Sequence, residues 1–159
     1  GKGIIDEWSL KIPLIGNIIY YSNLYQTGNL IATLLQSGIN TTETFQLTEK
    51  TIENAHLNRK FTAAKGQINE GASVTQAFRL QKFMPDVALD ILSVGEDTGE
   101  LAQSMANVTE GFKESLSQRL SALTTIVSSL ALGFAFGLVT LIAIGIVTSV
   151  FEVSKTLSI

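Results

Sequence analysis

Three carboxylates stand close together at Glu96, Asp97 and Glu100, with Gly95 and Gly99 around them and Leu101 following. Clustered oxygens are what a hard divalent cation requires, and the same negative patch could meet a basic partner. The alternate-position acids of a calcium loop are absent, however. The stretch Gly95-Glu96-Asp97-Thr98-Gly99 reads more simply as a turn between helices, with Asp97 or Thr98 capping the next one. No metal site is expected.

The remaining reactive side chains are as sparse. His56 is the single histidine, and Glu53-Asn54-Ala55 beside it offers neither a second histidine nor a cysteine for zinc or general-base work. No Gly-x-x-x-x-Gly-Lys-Ser/Thr loop occurs, and Gly99 is followed by an acid that would repel phosphate. Thr124, Thr125, Ser128 and Ser129 supply hydroxyls, but none lies in a Gly-x-Ser-x-Gly turn. Lys60, Lys65, Arg79 and Lys82 could form a basic face toward an acidic partner or be scattered solvated charge. No catalytic residue, cofactor or reaction follows, and an enzyme is not expected.

Composition narrows the classes further. The chain has 159 residues, a formal net charge of -3 and no cysteine. A nucleic-acid surface is not indicated, disulfides and thiolate metal sites are excluded, and a soluble part would suit a reducing cytosol. Gly1–Lys11 mixes charged and apolar residues without a continuous apolar core, so a secretory signal is not expected there. A start at glycine is what an excised piece of something longer would show.

Helical periodicity dominates, and no segment alternates long enough to argue a strand. Leu24, Leu30, Ile31, Leu34 and Leu35 give a face from about residue 18 to Gly38, a residue suited to closing a helix. Asn40 and Glu43 have capping-box spacing, opening a second helix with Phe45, Leu47 and Ile52 that should reach about His56. A third should run from about Asn58 through Phe61, Ala64, Lys65 and Ile68 to Gly71. Ser73 and Gln76 repeat the box before Val74, Ala77, Phe78 and Leu80. Pro85 then opens a helix over about 86–96 carrying Val87, Leu89, Ile91, Leu92 and Val94. A last helix should start near Glu100 and continue without a break. The expected fold is all-α, a six-helix bundle over 16–119 after an N-terminal linker at 1–15.

From Leu120 to Phe151 no side chain is charged. Roughly twenty apolar residues cross a bilayer as a helix, so 120–151 reads as a transmembrane helix with a short tail at 152–159. Ser129, Gly133 and Gly137 recur every fourth residue, with Gly145 on the same stripe. Small residues at that spacing let another helix approach closely, although glycine is also common in membrane helices generally. Lys113 and Arg119 before the segment, against Lys155 after it, favour a cytoplasmic bundle and a C-terminus outside.

Several stretches together resemble one known family. They are Ile12-Pro13-Leu14-Ile15-Gly16, Leu34-Leu35-Gln36-Ser37-Gly38-Ile39, Glu70-Gly71-Ala72-Ser73-Val74 with Ala77-Phe78, Phe83-Met84-Pro85, and Val94-Gly95-Glu96-Asp97-Thr98-Gly99-Glu100-Leu101. Their order and spacing are similar to the type II secretion F domain of inner-membrane platform proteins in type II secretion and type IV pilus machines. The resemblance runs from about Ile12 to the end of the membrane helix. It implies the second of two six-helix repeats plus the final membrane helix, and, since the family motif also demands glutamate at Glu96, a buried polar contact by that residue inside the bundle. Many relatives carry a proline near each end of that helix, whereas 120–151 has none.

The function implied is a non-enzymatic scaffold in a bacterial inner membrane. Its implied partners are a cytoplasmic assembly ATPase, pilins or pseudopilins, other inner-membrane components and further copies of itself. The competing readings are a tail-anchored helical regulatory or receptor-like module binding a soluble partner, and a membrane enzyme for which no constellation can be named.

Overall fold

The computed structural model describes residues 13–158. Its elements are six helices: α1 Pro13–Gln36, α2 Thr41–Glu49, α3 Ala55–Asn69, α4 Val74–Leu80, α5 Asp86–Thr98 and α6 Leu101–Leu157. The all-α expectation stands. The reading of Gly1–Lys11, and Ile12 of the family stretches, lie outside the described residues. So does the expected linker up to residue 12, while residues 13–15 already belong to α1. The chain divides into two units, Gly1–Arg119 and Leu120–Ile159, with the division inside α6.

Four of the helices end in one way. At Gly38, Gly71, Lys82 and Gly99 the backbone turns to positive φ. Each time the next residue's N–H reaches five residues back: Ile39 to Leu34, Ala72 to Gln67, Phe83 to Phe78 and Glu100 to Gly95. This closure satisfies carbonyls that a helix end leaves orphaned, and it turns the chain sharply enough for short connections. Lys82 does the same at φ 48°, a conformation that disfavours a side chain. Its carbonyl accepts a hydrogen bond from Lys60 Nζ at 3.1 Å.

The starts are held by side chains. Asn40 Oδ1 accepts from Glu43 N–H at 2.9 Å and Ser73 Oγ from Gln76 N–H at 3.1 Å. These are the forward halves of the two expected capping boxes. The boundary between the second and third helices differs from the periodic reading, because α2 stops at Glu49 and α3 begins at Ala55. Asn54 supplies the cap, accepting from both His56 and Leu57 N–H. Asn58, expected to open the helix, lies one turn inside it and donates to the carbonyls of Glu49 and Ile52, tying down the connection. His56 is thus an exposed first-turn residue.

In the first unit each of the first four helices packs on the next in chain order. Their centre is four phenylalanines, Phe45, Phe61, Phe78 and Phe83, each no more than 1% exposed. They come from α2, α3, α4 and the α4–α5 connection, with ring centroids as near as 5.0 Å for Phe78 and Phe83. Leu24 and Ile31 of α1, Leu89 and Leu92 of α5, and Met105 of α6 complete the buried set. Tyr20 seals one edge by donating to the Phe83 carbonyl at 3.0 Å. Burial, and secondarily the neighbouring Tyr21, pushes its hydroxyl up to about 12.

Between α2 and α3, Glu49 accepts from Lys65 Nζ and from Thr62 Oγ1. These bonds, that from Lys65 foremost, hold the Glu49 carboxyl below its ordinary value of 4.5. A carboxylate with a depressed folded-state pKa stabilises the fold above its ordinary value and stops doing so as pH falls through the lower one. The difference in urea midpoint between wild type and Glu49→Gln should therefore be full at neutral pH and close as the solution is acidified below the ordinary carboxylate value of 4.5. A difference independent of pH would refute that role. Phe61→Ala, which opens a cavity in the ring cluster, should cost about 3–5 kcal/mol in the same measurement.

Candidate functional site

The motif stretch is organised around the α5–α6 junction, and its helix boundary lies further along than the sequence suggested. Residues 95–98 are the last turn of α5, not a turn between helices, and only Gly99 and Glu100 connect it to α6. The reason is the closing bond from Glu100 N–H to Gly95 O at 2.7 Å, which needs helical backbone from Gly95 through Thr98 and positive φ at Gly99. Thr98 does not cap the next helix. Its hydroxyl donates back to the carbonyl of Val94 at 2.9 Å. Asp97 is exposed on the last turn of α5.

Glu96 points the other way, toward α4. Its Oε1 accepts from Val74 N–H at 2.6 Å and its Oε2 from Thr75 N–H at 2.9 Å. With Ser73 covering Gln76, three consecutive N–H groups at the start of α4 have side-chain acceptors, and the next, Ala77, bonds to the Ser73 carbonyl. Three of the orphan donors of this helix start thereby have acceptors. A carboxylate there also complements the positive end of the helix dipole. One half-buried side chain thus closes α4 and pins it to α5 across 21 residues of sequence.

Gly95 and Gly28 are needed for a different reason. A Cβ at Gly95 would collide with the Ser104 side chain and lie 3.1 Å from the Glu100 carbonyl oxygen. One at Gly28 would collide with Thr109 Oγ1, itself held to the Met105 carbonyl at 2.7 Å. So α6 lies against bare backbone on α1 and on α5. Leu101 packs half-buried against the core. Sequence reasoning picked out Gly95 by its motif but passed over Gly28, whose only signal is a glycine within an apolar helical face.

Three of the four basic residues already have partners. Lys65 is engaged by Glu49, Arg79 by Asp86 at 3.3 Å and Asp90 at 2.9 Å, and Lys60 by the Lys82 carbonyl. Among the described residues no group of three or more His, Asp or Glu side chains is placed to hold a metal ion. The junction offers a mechanical tie between helices.

The second unit is the apolar part of α6, which is long and apolar enough to cross a membrane, with none of that window buried. Ser129, Gly133, Gly137 and Gly145 are exposed, and a Cβ at any of the three glycines meets nothing within 4 Å. Thr124, Thr125 and Thr148 return their hydroxyls to the carbonyls four residues before them.

Glu96→Gln retains the shape but leaves a single oxygen to accept two N–H donors. It should lower the unfolding free energy of the bundle by about 1–3 kcal/mol. Asp97→Asn, on the exposed side of the same turn, should change it by less than about 0.5 kcal/mol. Equal urea midpoints for the two variants would show that the bridge to α4 carries no weight.

Known proteins with similar sequences agree on one family. The chain is 26% identical over its full length to the type IV pilus assembly protein PilC of Thermus thermophilus, of which it covers 39%. It is 22% identical, over 92% of its length, to the type II secretion system protein F of Pseudomonas aeruginosa, covering 36% of that protein. A PilC of Myxococcus xanthus is 20% identical over 97% of the chain. The chain therefore spans about two fifths of the length of these relatives. The family profile described as type II secretion system (T2SS), protein F, matches residues 29–149, through both the bundle and most of the apolar helix. On that match the chain belongs to the type II secretion system protein F family.

Proposed function

We propose that the chain is the C-terminal cytoplasmic six-helix domain and last membrane helix of an inner-membrane platform protein for type IV pilus or type II secretion pseudopilus assembly. The observation that carries this reading is the family match across residues 29–149, shared with relatives named for pilus assembly and for secretion. The protein does no covalent chemistry in this reading. It is a scaffold that couples a cytoplasmic assembly ATPase to the insertion of pilins or pseudopilins, alongside other inner-membrane components and further copies of itself.

Local physics supports such a role. The Glu96 bridge joins α5 to α4, and the glycine contacts bring α6 close against α1 and α5, short connections suited to passing displacement between helices. The apolar segment over 120–151 is an anchor whose small-residue stripe, Ser129, Gly133, Gly137 and Gly145, is suited to packing against other membrane helices. Lys113 and Arg119 on one side against Lys155 on the other support a cytoplasmic bundle and a periplasmic C-terminus.

Deleting the full gene in its host should abolish piliation or type II secretion, and a plasmid copy should restore it. Unchanged piliation and secretion in the deletion strain would overturn the assignment. Because the chain has no cysteine, single cysteines introduced into it report its orientation once any cysteine elsewhere in the full-length protein is replaced by serine. Ser158→Cys should react with a membrane-impermeant maleimide from the periplasmic side, and Ser37→Cys only after the inner membrane is opened. The reverse pattern would invert the topology.

A further inference from the structure

Helical periodicity placed Val87, Leu89, Ile91, Leu92 and Val94 on one core-facing helix, but α5 divides them. Ala88, Leu89, Leu92 and Gly95 are buried. Val87, Ile91 and Val94 are 73%, 43% and 64% exposed. Their spacing aligns them along one side of the helix. Beside this stripe a groove of about 310 Å3 runs between α5 and α6. Tyr21, Ala88, Val108 and Phe112 line it, with Asn107, Gly111 and Ser115 contributed by α6. Gly111 leaves open space where a side chain would stand.

The banks of this apolar trough are acidic. Asp90 lies one helical turn from both Val87 and Val94, with Asp86 and Asp97 on the same flank of α5, all exposed. On α6, exposed Glu110 and Glu114 follow one turn after Asn107 and Gly111. Arg79 is the cation nearest the first bank, and it is held between Asp86 and Asp90. Lys113 lies one turn from Glu110 and Arg119 stands over the Tyr21 ring, leaving five acids against three cations along the groove.

We propose that this groove is a docking site for a basic amphipathic helix of another protein. The partner's apolar edge would lie along Val87, Ile91 and Val94, and its lysines or arginines would reach the two banks. Laying an amphipathic helix in a groove between helices is a recurrent recognition mode. The charges decide among occupants. A two-fold contact with a second copy would set acidic banks against each other. An anionic membrane surface would repel them. The proposal goes beyond the platform assignment and rests on groove geometry and charge alone.

The test uses the whole chain in phosphatidylcholine nanodiscs and a fluorescein-labelled Leu/Lys peptide patterned as an amphipathic helix. Anisotropy should show saturable binding that weakens with added salt. It should weaken by about tenfold or more in Val87→Ser/Ile91→Ser and again in Asp97→Lys/Glu114→Lys. All four positions are solvent-facing, so helicity and melting should match wild type. Asp97→Lys alone carries the test should the apolar double variant melt early. Equal binding of a scrambled peptide of the same composition would overturn the proposal, as would binding indifferent to these variants. Self-association of the chain lost on Ile91→Ser, or groove-dependent capture by phosphatidylserine vesicles, would overturn it in favour of a second copy or a lipid surface.

Discussion

The bundle depends on a donor problem at the start of α4. That helix is seven residues long, too short to be stable by its own backbone. Its first N–H groups would otherwise be left without acceptors against a packed interior. Glu96 resolves this from another helix, with one carboxylate spanning Val74 and Thr75 N–H. The bond from Glu100 N–H to the Gly95 carbonyl then fixes how far α5 runs before Gly99 turns the chain, and hence where α6 begins. Phe78, the α4 member of the phenylalanine cluster, is delivered to the centre by a helix that Glu96 holds in place.

Short connections impose a matching constraint at the other ends. Gly38, Gly71 and Gly99 each turn the backbone through positive φ so that the next element starts within a few residues. Lys82 does so without glycine's freedom, and the Lys60 hydrogen bond to its carbonyl offsets part of the local strain. Tight closures leave little room for adjustment between helices. Contacts such as Gly28 to Thr109 and Gly95 to Ser104 then become conditions on the sequence as well as packing detail.

Local chemistry made much of this legible. Glycines after apolar helical faces, Asn and Ser before new ones, and a charge-free run at 120–151 are signals that act within a few residues, and each has a counterpart in the structure. Long-range partners were not legible. Glu96 could be singled out by its motif, yet nothing near it in sequence named Val74 and Thr75 as its donors. The α2–α3 boundary was misplaced because Asn54 and Asn58 are both plausible caps, and only the tertiary bonds of Asn58 to Glu49 and Ile52 separate them. Periodicity alone could not divide the apolar residues of α5 between core and groove, since both sides of that helix carry them.

Where α6 leaves the bundle, the Arg119 guanidinium sits over the Tyr21 ring, 4.6 Å from its centre. That ring stands edge-on to Phe112. Nearby, the Tyr20 hydroxyl that grips the Phe83 carbonyl keeps its proton until about pH 12. A phenol so placed stays a hydrogen-bond donor across the neutral range, so this clasp on the Phe83 carbonyl is not undone by ordinary changes of acidity.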